Sequence, residues 1–248
     1  MAGIEAVTFD LWQTLLLDRP EWGQGRRSLR LDGTQQVLQE AGERFSREEL
    51  EDAYQQGLRT CWGIKETGRE PSFTERIHCF IDSIDEGLRG RLGEGRMRRI
   101  AEAYANSFYG YPLHLHKEAA AVLMQVKADK YRIGLISNTD MTPGVLFREY
   151  MERLDILKYF DVLTFSDEAG FPKPEKEIFE MTAAEMGVDP AKTVHVGDHF
   201  INDVVGAQGV GMKAIWIRND EGSAGSENGQ ADATIADLGE TNEAIRAL

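Results

Sequence analysis

Ala6–Phe9 reads as a short buried strand, and within VTFDLWQTLL it runs straight into a carboxylate, Asp10. Three further strand-like runs finish beside reactive side chains. YRIGLIS (Tyr131–Ser137) leads into Ser137-Asn138, and DVLTFS (Asp161–Ser166) is followed by SDEAGFPKP with Lys173. TVHVGD (Thr193–Asp198) closes on Gly197-Asp198, with Asp203 about one helical turn further on. Carboxylates, a hydroxyl, an amide and an ammonium together are groups that grip an anion, ligate a hard cation or act at a reacting centre. Each has a plain alternative, because Ser, Asn and Asp cap helices and turns and a lysine is ordinarily solvated. Their common position carries the weight: ligands of an open parallel sheet bind at the carboxyl ends of its strands.

That sheet is legible in the pattern. KAIWI (Lys213–Ile217) adds a fifth apolar run, and helical periodicity separates the runs at Lys117–Asp129, Pro143–Leu154, Lys176–Gly187 and Asn202–Gly211. Strands alternating with helices imply right-handed crossovers, and nearly continuous apolar strands imply cover on both faces. The fold class expected is α/β, a doubly wound parallel sheet. From about Thr34 to Phe108 only helical periodicity is found, at Ser46–Trp62, Ser72–Ile84 and Arg96–Phe108, with Ser46 and Glu49 at capping-box spacing. A helical block inserted after the first strand reads as a cap domain over 17–113, with the core formed by 1–16 and 114–248. Arg19–Arg30, rich in Gly and Arg, is read as a loop and candidate hinge; its Arg26, Arg27 or Arg30 could reach toward an anionic substrate, but a solvated basic loop is the reading preferred. Arg218–Gln230 is read as a Gly/Ser-rich surface loop.

Composition sets outer limits. With 248 residues, 42% hydrophobic and 28% charged, the chain has enough apolar mass for a large core. A formal net charge of -14 repels nucleic acid and anionic lipid, so neither is expected as a partner. The same field repels an anionic substrate unless the site supplies positive charge of its own. Cys61 and Cys79 stand outside any CxxC cluster, which points to core packing in a reducing compartment. No stretch approaches the roughly 20 apolar residues a membrane helix needs, so a cytoplasmic location is expected.

The ordered set FDLWQTL, LISNTD, FPKPEKEIF and VGDHFINDVVGA resembles the haloacid dehalogenase-like (HAD) hydrolase superfamily over almost the entire chain. The helical insert between the first two motifs resembles the cap of its first cap class. The resemblance implies a Rossmann-like core and a mechanism carried residue by residue. Asp10 is then the nucleophile that forms a covalent aspartyl intermediate. Ser137, with Asn138 and Thr14, binds the phosphoryl group, and Lys173 holds the nucleophile ionised and neutralises the transferring group. Asp10, Asp198 and the backbone carbonyl of Trp12 ligate Mg²⁺, and Asp203 acts from behind, through water or toward Lys173. His199 and Asn202 are read as structural, and His195 as a core strand residue.

Trp12 departs from the family pattern. The superfamily's phosphatases usually carry a second aspartate two residues after the nucleophile, which protonates the leaving oxygen and later activates water. An indole N–H only donates and does not ionise at neutral pH, and losing a general acid–base typically costs ~10²–10⁴ in rate. The resemblance therefore implies a Mg²⁺-dependent phosphohydrolase of modified type, acting on a small anionic metabolite as a monomer or homodimer. Branches such as P-type ATPases and phosphonatases also lack this acid. One alternative is a 2-haloacid dehalogenase, whose halide leaves unprotonated and whose second acid is replaced by an aromatic residue; the intact Gly197-Asp198 and Asn202-Asp203 speak for the metal-binding branch instead. The other is a binding or regulatory protein that keeps the fold without turnover.

Overall fold

The computed structural model describes residues 3–218 and 230–248, so most of the surface loop expected at Arg218–Gln230 lies outside the described residues. The strands are β1 (Ala6–Phe9), β2 (Leu16–Leu17), β3 (His114–Leu115), β4 (Arg132–Ser137), β5 (Val162–Phe165), β6 (Thr193–Gly197), β7 (Lys213–Ile217) and β8 (Ala233–Ile235). The α-helices are α1 (Pro20–Glu40), α2 (Arg47–Lys65), α3 (Phe73–Ile84), α4 (Leu88–Gly110), α5 (Ala119–Ala128), α6 (Gly144–Arg153), α7 (Ser166–Ala169), α8 (Lys176–Met186), α9 (Gly206–Gly209) and α10 (Thr241–Ala247). They group into two compact units. One runs to Leu17 and resumes at Leu113–Thr139 and Phe147–Leu248; the other holds Asp18–Pro112 and Asp140–Leu146.

The first unit is an α/β fold around a six-stranded sheet in the order β5-β4-β1-β6-β7-β8, every pair parallel. Every residue of β1 and β6 is buried, as the continuous apolar runs require of strands covered on both faces. The chain moves outward from β1 to β4 and β5 on one side and to β6, β7 and β8 on the other. The switch in strand order therefore falls at β1, where a crevice opens at the carboxyl ends. Phe9 pairs with Leu135 of β4 and with Val196 of β6, so Asp10, Ser137 and Gly197 end neighbouring strands within a residue or two of one level. The short β8 and the antiparallel β2–β3 pair were not expected from the sequence; at two and three residues they carry too little pattern to read.

The second unit is helical. Ser46 and Ser72 each accept from the backbone N–H three residues on, while Glu49 and Glu75 accept in return from the serine N–H, so two capping boxes start α2 and α3. Leu31, Leu38, Leu50, Ile77, Phe80, Ile81, Leu92, Ile100 and Tyr104 form its core. The expected loop at Arg19–Arg30 is corrected: those residues open α1, and Arg26 and Arg30 are buried, not solvated. The buried face of α1 is Arg26, Arg30, Leu31, Thr34, Val37 and Leu38, a helical spacing whose first half is polar. An apolar stripe is what sequence periodicity detects, so this face escaped it. Gly33 also serves packing and not a turn, because a Cβ there would lie 2.7 Å from that of Ala103 in α4. Among the described residues no helix is long and apolar enough to cross a membrane.

Candidate active site

Asp10 leaves the sheet in a fixed position. Its N–H donates to the Val196 carbonyl at 2.8 Å, extending the β1–β6 ladder by one step, and the residue is only 5% exposed. A tight turn follows. Gln13 takes φ 61° in the left-handed region and donates to the Leu16 carbonyl at 2.7 Å, while the Leu16 N–H reaches back to the Leu11 carbonyl at 2.8 Å. This turn seats Thr14 in the interior with its hydroxyl lacking any hydrogen-bond partner. The Trp12 ring stands edge-on to Phe147 at 5.8 Å, and Phe147 stacks on Phe165 of β5 at 6.0 Å. Residue 12 is thus built into an aromatic row.

Lys173 is the hub. Its ammonium donates to Asp10 Oδ1 and to Asp203 Oδ1, each at 2.6 Å, and both ends of each contact are almost fully buried. Its backbone is clamped by Asn138: the Lys173 N–H donates to Asn138 Oδ1 at 2.8 Å and Asn138 Nδ2 donates to the Lys173 carbonyl at 3.1 Å. Asn138, expected at the phosphoryl group, here spends both ends of its amide on the lysine main chain. Ser137 is wholly buried at the end of β4 and its hydroxyl makes one long contact, 3.4 Å, to the Asn138 carbonyl.

At the end of β6 the chain turns through a wide, π-helical segment, Phe200–Val205, into α9, where a single regular helix was expected. His199 Nδ1 accepts from the Asn202 N–H at 3.2 Å and caps this turn. Asp203 folds back so that its Oδ2 accepts from the His199 N–H at 2.9 Å. Gly197 makes room for it, since a Cβ at that position would meet Asp203 Cγ at 2.3 Å. The variant Gly197→Ala is expected to lose about 1–3 kcal/mol of stability through overpacking and to lose turnover as well, because a displaced Asp203 releases Lys173. Thermal unfolding and kcat read the two effects. A variant that folds with unchanged kcat would show that Asp203 does not need this seat.

His195 and Thr8 supply a layer that the sequence reading missed. They are register partners on β6 and β1, both fully buried, with Thr8 Oγ1 and His195 Nδ1 2.9 Å apart. His195 Nε2 lies 3.2 Å from Asp203 Oδ1. Because the carboxylate only accepts, Nε2 carries the proton and Nδ1 accepts from the threonine hydroxyl. The available signal was two polar residues on adjacent strands that otherwise read as fully buried.

The electrostatics follow from burial. Desolvation pushes the Asp10 carboxyl up to about 6, with Lys173 opposing and Asp203 adding to the rise. Burial, reinforced by the charges of Asp10 and Asp203, pushes Asp198 up to about 8. Burial also opposes ionisation of Asp203, but the Lys173 ammonium and the His195 N–H outweigh it and hold that carboxyl below its usual range. Lys173 likewise keeps its proton against burial because it faces two carboxylates. Burial holds His195 below its ordinary value, toward the neutral ring. One oxygen each of Asp10, Asp198 and Asp203 lie within 4.8 Å of one another, with Lys173 bonded to two of the three. Three carboxylates against one ammonium leave a deficit of two positive charges, and the donors are hard oxygens, so a divalent oxygen-seeking cation fits. Asp203 has both oxygens engaged already, which leaves Asp10 and Asp198 as the side chains to hold it.

Comparison with known proteins bears on this geometry. The family model described as haloacid dehalogenase-like hydrolase matches residues 4–211. The chain is 34% identical over 131 residues to the glyceraldehyde 3-phosphate phosphatase of Methanothermobacter thermautotrophicus, covering 50% of this chain and 56% of that protein. It thus spans about half the length of that relative. It is 27% identical over 247 residues to the ribulose-1,5-bisphosphate 5-phosphatase of Halopiger xanaduensis, covering 97% of this chain and 98% of that protein. Among solved structures, a 2-haloacid dehalogenase from Pseudomonas syringae superposes with a TM-score of 0.72 at 24% identity, over 98% of this chain and 99% of that one. At that identity the likeness concerns the fold.

Proposed function

The chain belongs to the haloacid dehalogenase-like hydrolase family, and from that premise we propose that it is a Mg²⁺-dependent phosphatase of a small phosphorylated metabolite. The observation that carries this reading is the Lys173 ammonium, 2.6 Å from both Asp10 and Asp203, with a third acid, Asp198, in the same cluster. Lys173 together with a divalent cation on the acids would supply the local positive charge that an anionic substrate needs in a chain of net charge -14.

In the proposed reaction an Asp10 carboxylate oxygen attacks phosphorus. The bond to the leaving oxygen breaks, and that oxygen departs with the electron pair and takes up a proton. Water then attacks the phosphorus of the aspartyl-phosphate, yielding inorganic phosphate and returning Asp10. Lys173 uses two of its three N–H donors on Asp10 and Asp203, which leaves one to meet charge on the transferring group. Ser137 and Thr14, both buried and poorly partnered, offer hydroxyl donors to its oxygens. Asn138 acts by setting the Lys173 backbone, and His195, backed by Thr8, by fixing Asp203. Mg²⁺ held by Asp10, Asp198 and the Trp12 carbonyl supplies the remaining positive charge when bound. Trp12 offers no proton, so substrates whose leaving group departs unaided, such as acyl or aryl phosphates, are expected to turn over best.

A paired assay tests the reading. Phosphate release from acyl or aryl phosphates that requires Mg²⁺ supports it. Chloride release from 2-chloropropionate that persists in EDTA overturns it in favour of dehalogenation, and no turnover on either panel with Mg²⁺ still bound overturns it in favour of a binding protein. A pH dependence follows as well. With Asp10 raised to about 6 and Asp198 to about 8, protons compete for the cation at neutral and acidic pH. Mg²⁺ binding is expected to tighten by at least about tenfold between pH 6 and pH 8 and to release protons at the lower pH. Calorimetry in buffers of different ionisation enthalpy measures both.

A further inference from the structure

The helical unit buries three arginines: Arg26 at 3% exposed, Arg30 at 5% and Arg76 at 2%. Two of them are neutralised. Arg26 is ion-paired with Asp18, and Arg76 with Glu70. Arg30 differs, because among the described residues no carboxylate oxygen comes within 4.0 Å of its guanidinium. Its Nη1 donates to the Tyr54 hydroxyl at 3.3 Å, its plane lies over the Tyr104 ring at 5.1 Å, and its buried Nε has no acceptor.

The surroundings do not make up the missing charge. Asp140 lies in the field of Lys65, Arg76 and Arg30 together, but its carboxylate is bonded to Lys65 at 2.6 Å. Glu70 is shared by Arg76 and Lys65. The group therefore sets three cations against two carboxylates, and the uncompensated charge rests on Arg30, the guanidinium without a carboxylate partner. The Tyr104 hydroxyl meets a weak acceptor, Met141 Sδ, at 3.5 Å and also interacts with the Tyr54 hydroxyl. A buried cation with unmade hydrogen bonds is costly in an empty site and becomes favourable when an anion completes it. A guanidinium edge is suited to a carboxylate or phosphate, whose two oxygens it meets in parallel.

We propose that Arg30, braced by Tyr54 and Tyr104, anchors an anion-binding site in the helical unit that takes a carboxylate or phosphate group. This assignment does not rest on the phosphatase reading. The same anionic chemistry has two sources, a second charged group on the substrate or a separate small effector.

The test titrates the full chain in EDTA with malonate and with inorganic phosphate. Without a cation the cluster of Asp10, Asp198 and Asp203 repels both probes, so the isotherm reports the helical unit. One equivalent is expected to bind, about tenfold more weakly or worse in Arg30→Gln and with an intermediate loss in Arg30→Lys. The guanidinium Nε–H resonance of Arg30 is expected to shift during the titration of the unmodified protein. Should Arg30→Gln fail to fold, that resonance and the Tyr54→Phe isotherm still decide the matter. Binding that is equal in Arg30→Gln, or a resonance that does not move, overturns the site and leaves Arg30 a packing residue. A KM raised in Arg30→Lys only for phosphomonoesters that also carry a carboxylate assigns the anion to the substrate. Malonate that alters kcat without competing assigns it to an effector. If neither acyl phosphates nor phosphomonoesters turn over at all, the catalytic reading fails while the isotherm still judges Arg30.

Discussion

Replacing Asp10 by asparagine is expected to lower turnover on the order of 10⁴-fold or more, as removal of a covalent nucleophile does, while leaving the metal-free protein more stable than before. The amide does not attack phosphorus at a useful rate, and Lys173, Asp198 and Asp203 remain to bind without reacting. The stability gain follows from the direction of the Asp10 shift. Burial raises its carboxyl from an ordinary 3.8 to about 6, so the folded state holds the proton more tightly than the unfolded chain does. An acid shifted upward destabilises the fold progressively as pH climbs from 3.8 toward 6, and fully above that. Two pH units correspond to ~3 kcal/mol at most, and an uncharged asparagine escapes that penalty. Thermal unfolding at pH 7.5 in EDTA and again with saturating Mg²⁺ measures it. The gain is expected in EDTA and is expected to vanish with Mg²⁺, because the cation stabilises the ionised aspartate. A variant that keeps a tenth of the activity removes Asp10 from the nucleophile's role. One destabilised in EDTA shows that the bond to Lys173 outweighs desolvation.

The second large effect concerns Trp12. Trp12→Asp is expected to raise turnover on ordinary phosphomonoesters by ~10²–10⁴, the usual worth of a positioned general acid–base, and to change acyl phosphate turnover far less. A carboxyl at position 12 that reaches the cluster of three acids and one ammonium would meet conditions that keep a carboxylic acid protonated near neutral pH. The substitution also breaks the edge contact with Phe147 and empties part of the row that continues to Phe165. Trp12 is only half-buried, so a loss of about 1–3 kcal/mol is expected, below the range for a fully buried aromatic. A folded variant that stays inert on phosphomonoesters while still hydrolysing acyl phosphates would sink the missing-acid explanation. The limit would then lie in access or orientation of the substrate.

How far the site was legible depends on what each residue leans on. Asp10, Ser137 and Asp198 follow strands whose apolar runs announce them, and a strand end is a local property that a sequence displays. Lys173 stands out between two prolines that restrict its backbone. Asn138 carried no such signal. Its role as a clamp depends on a partner 35 residues away and emerges only when β4 and the Lys173 turn are set side by side. The misread of Arg19–Arg30 has a related cause. A helix whose buried face starts with Arg26 and Arg30 has the right spacing in residues that apolar periodicity does not count.

The amino-acid order alone therefore determined the parallel α/β architecture, the strand-end acids and hydroxyl, the inserted helical segment and the absence of an acid at position 12. These are written in patterns of two to twenty residues, because side-chain alternation, helical period and capping are local consequences of backbone geometry. Only the tertiary structure decided the sheet order that brings Lys173 onto Asp10 across 163 residues, the Thr8–His195 support behind Asp203, and the isolation of the Arg30 charge. Those depend on which side chains meet in a medium where an unmatched charge or hydrogen bond is costly. That matching is a property of the packed molecule and not of any one segment.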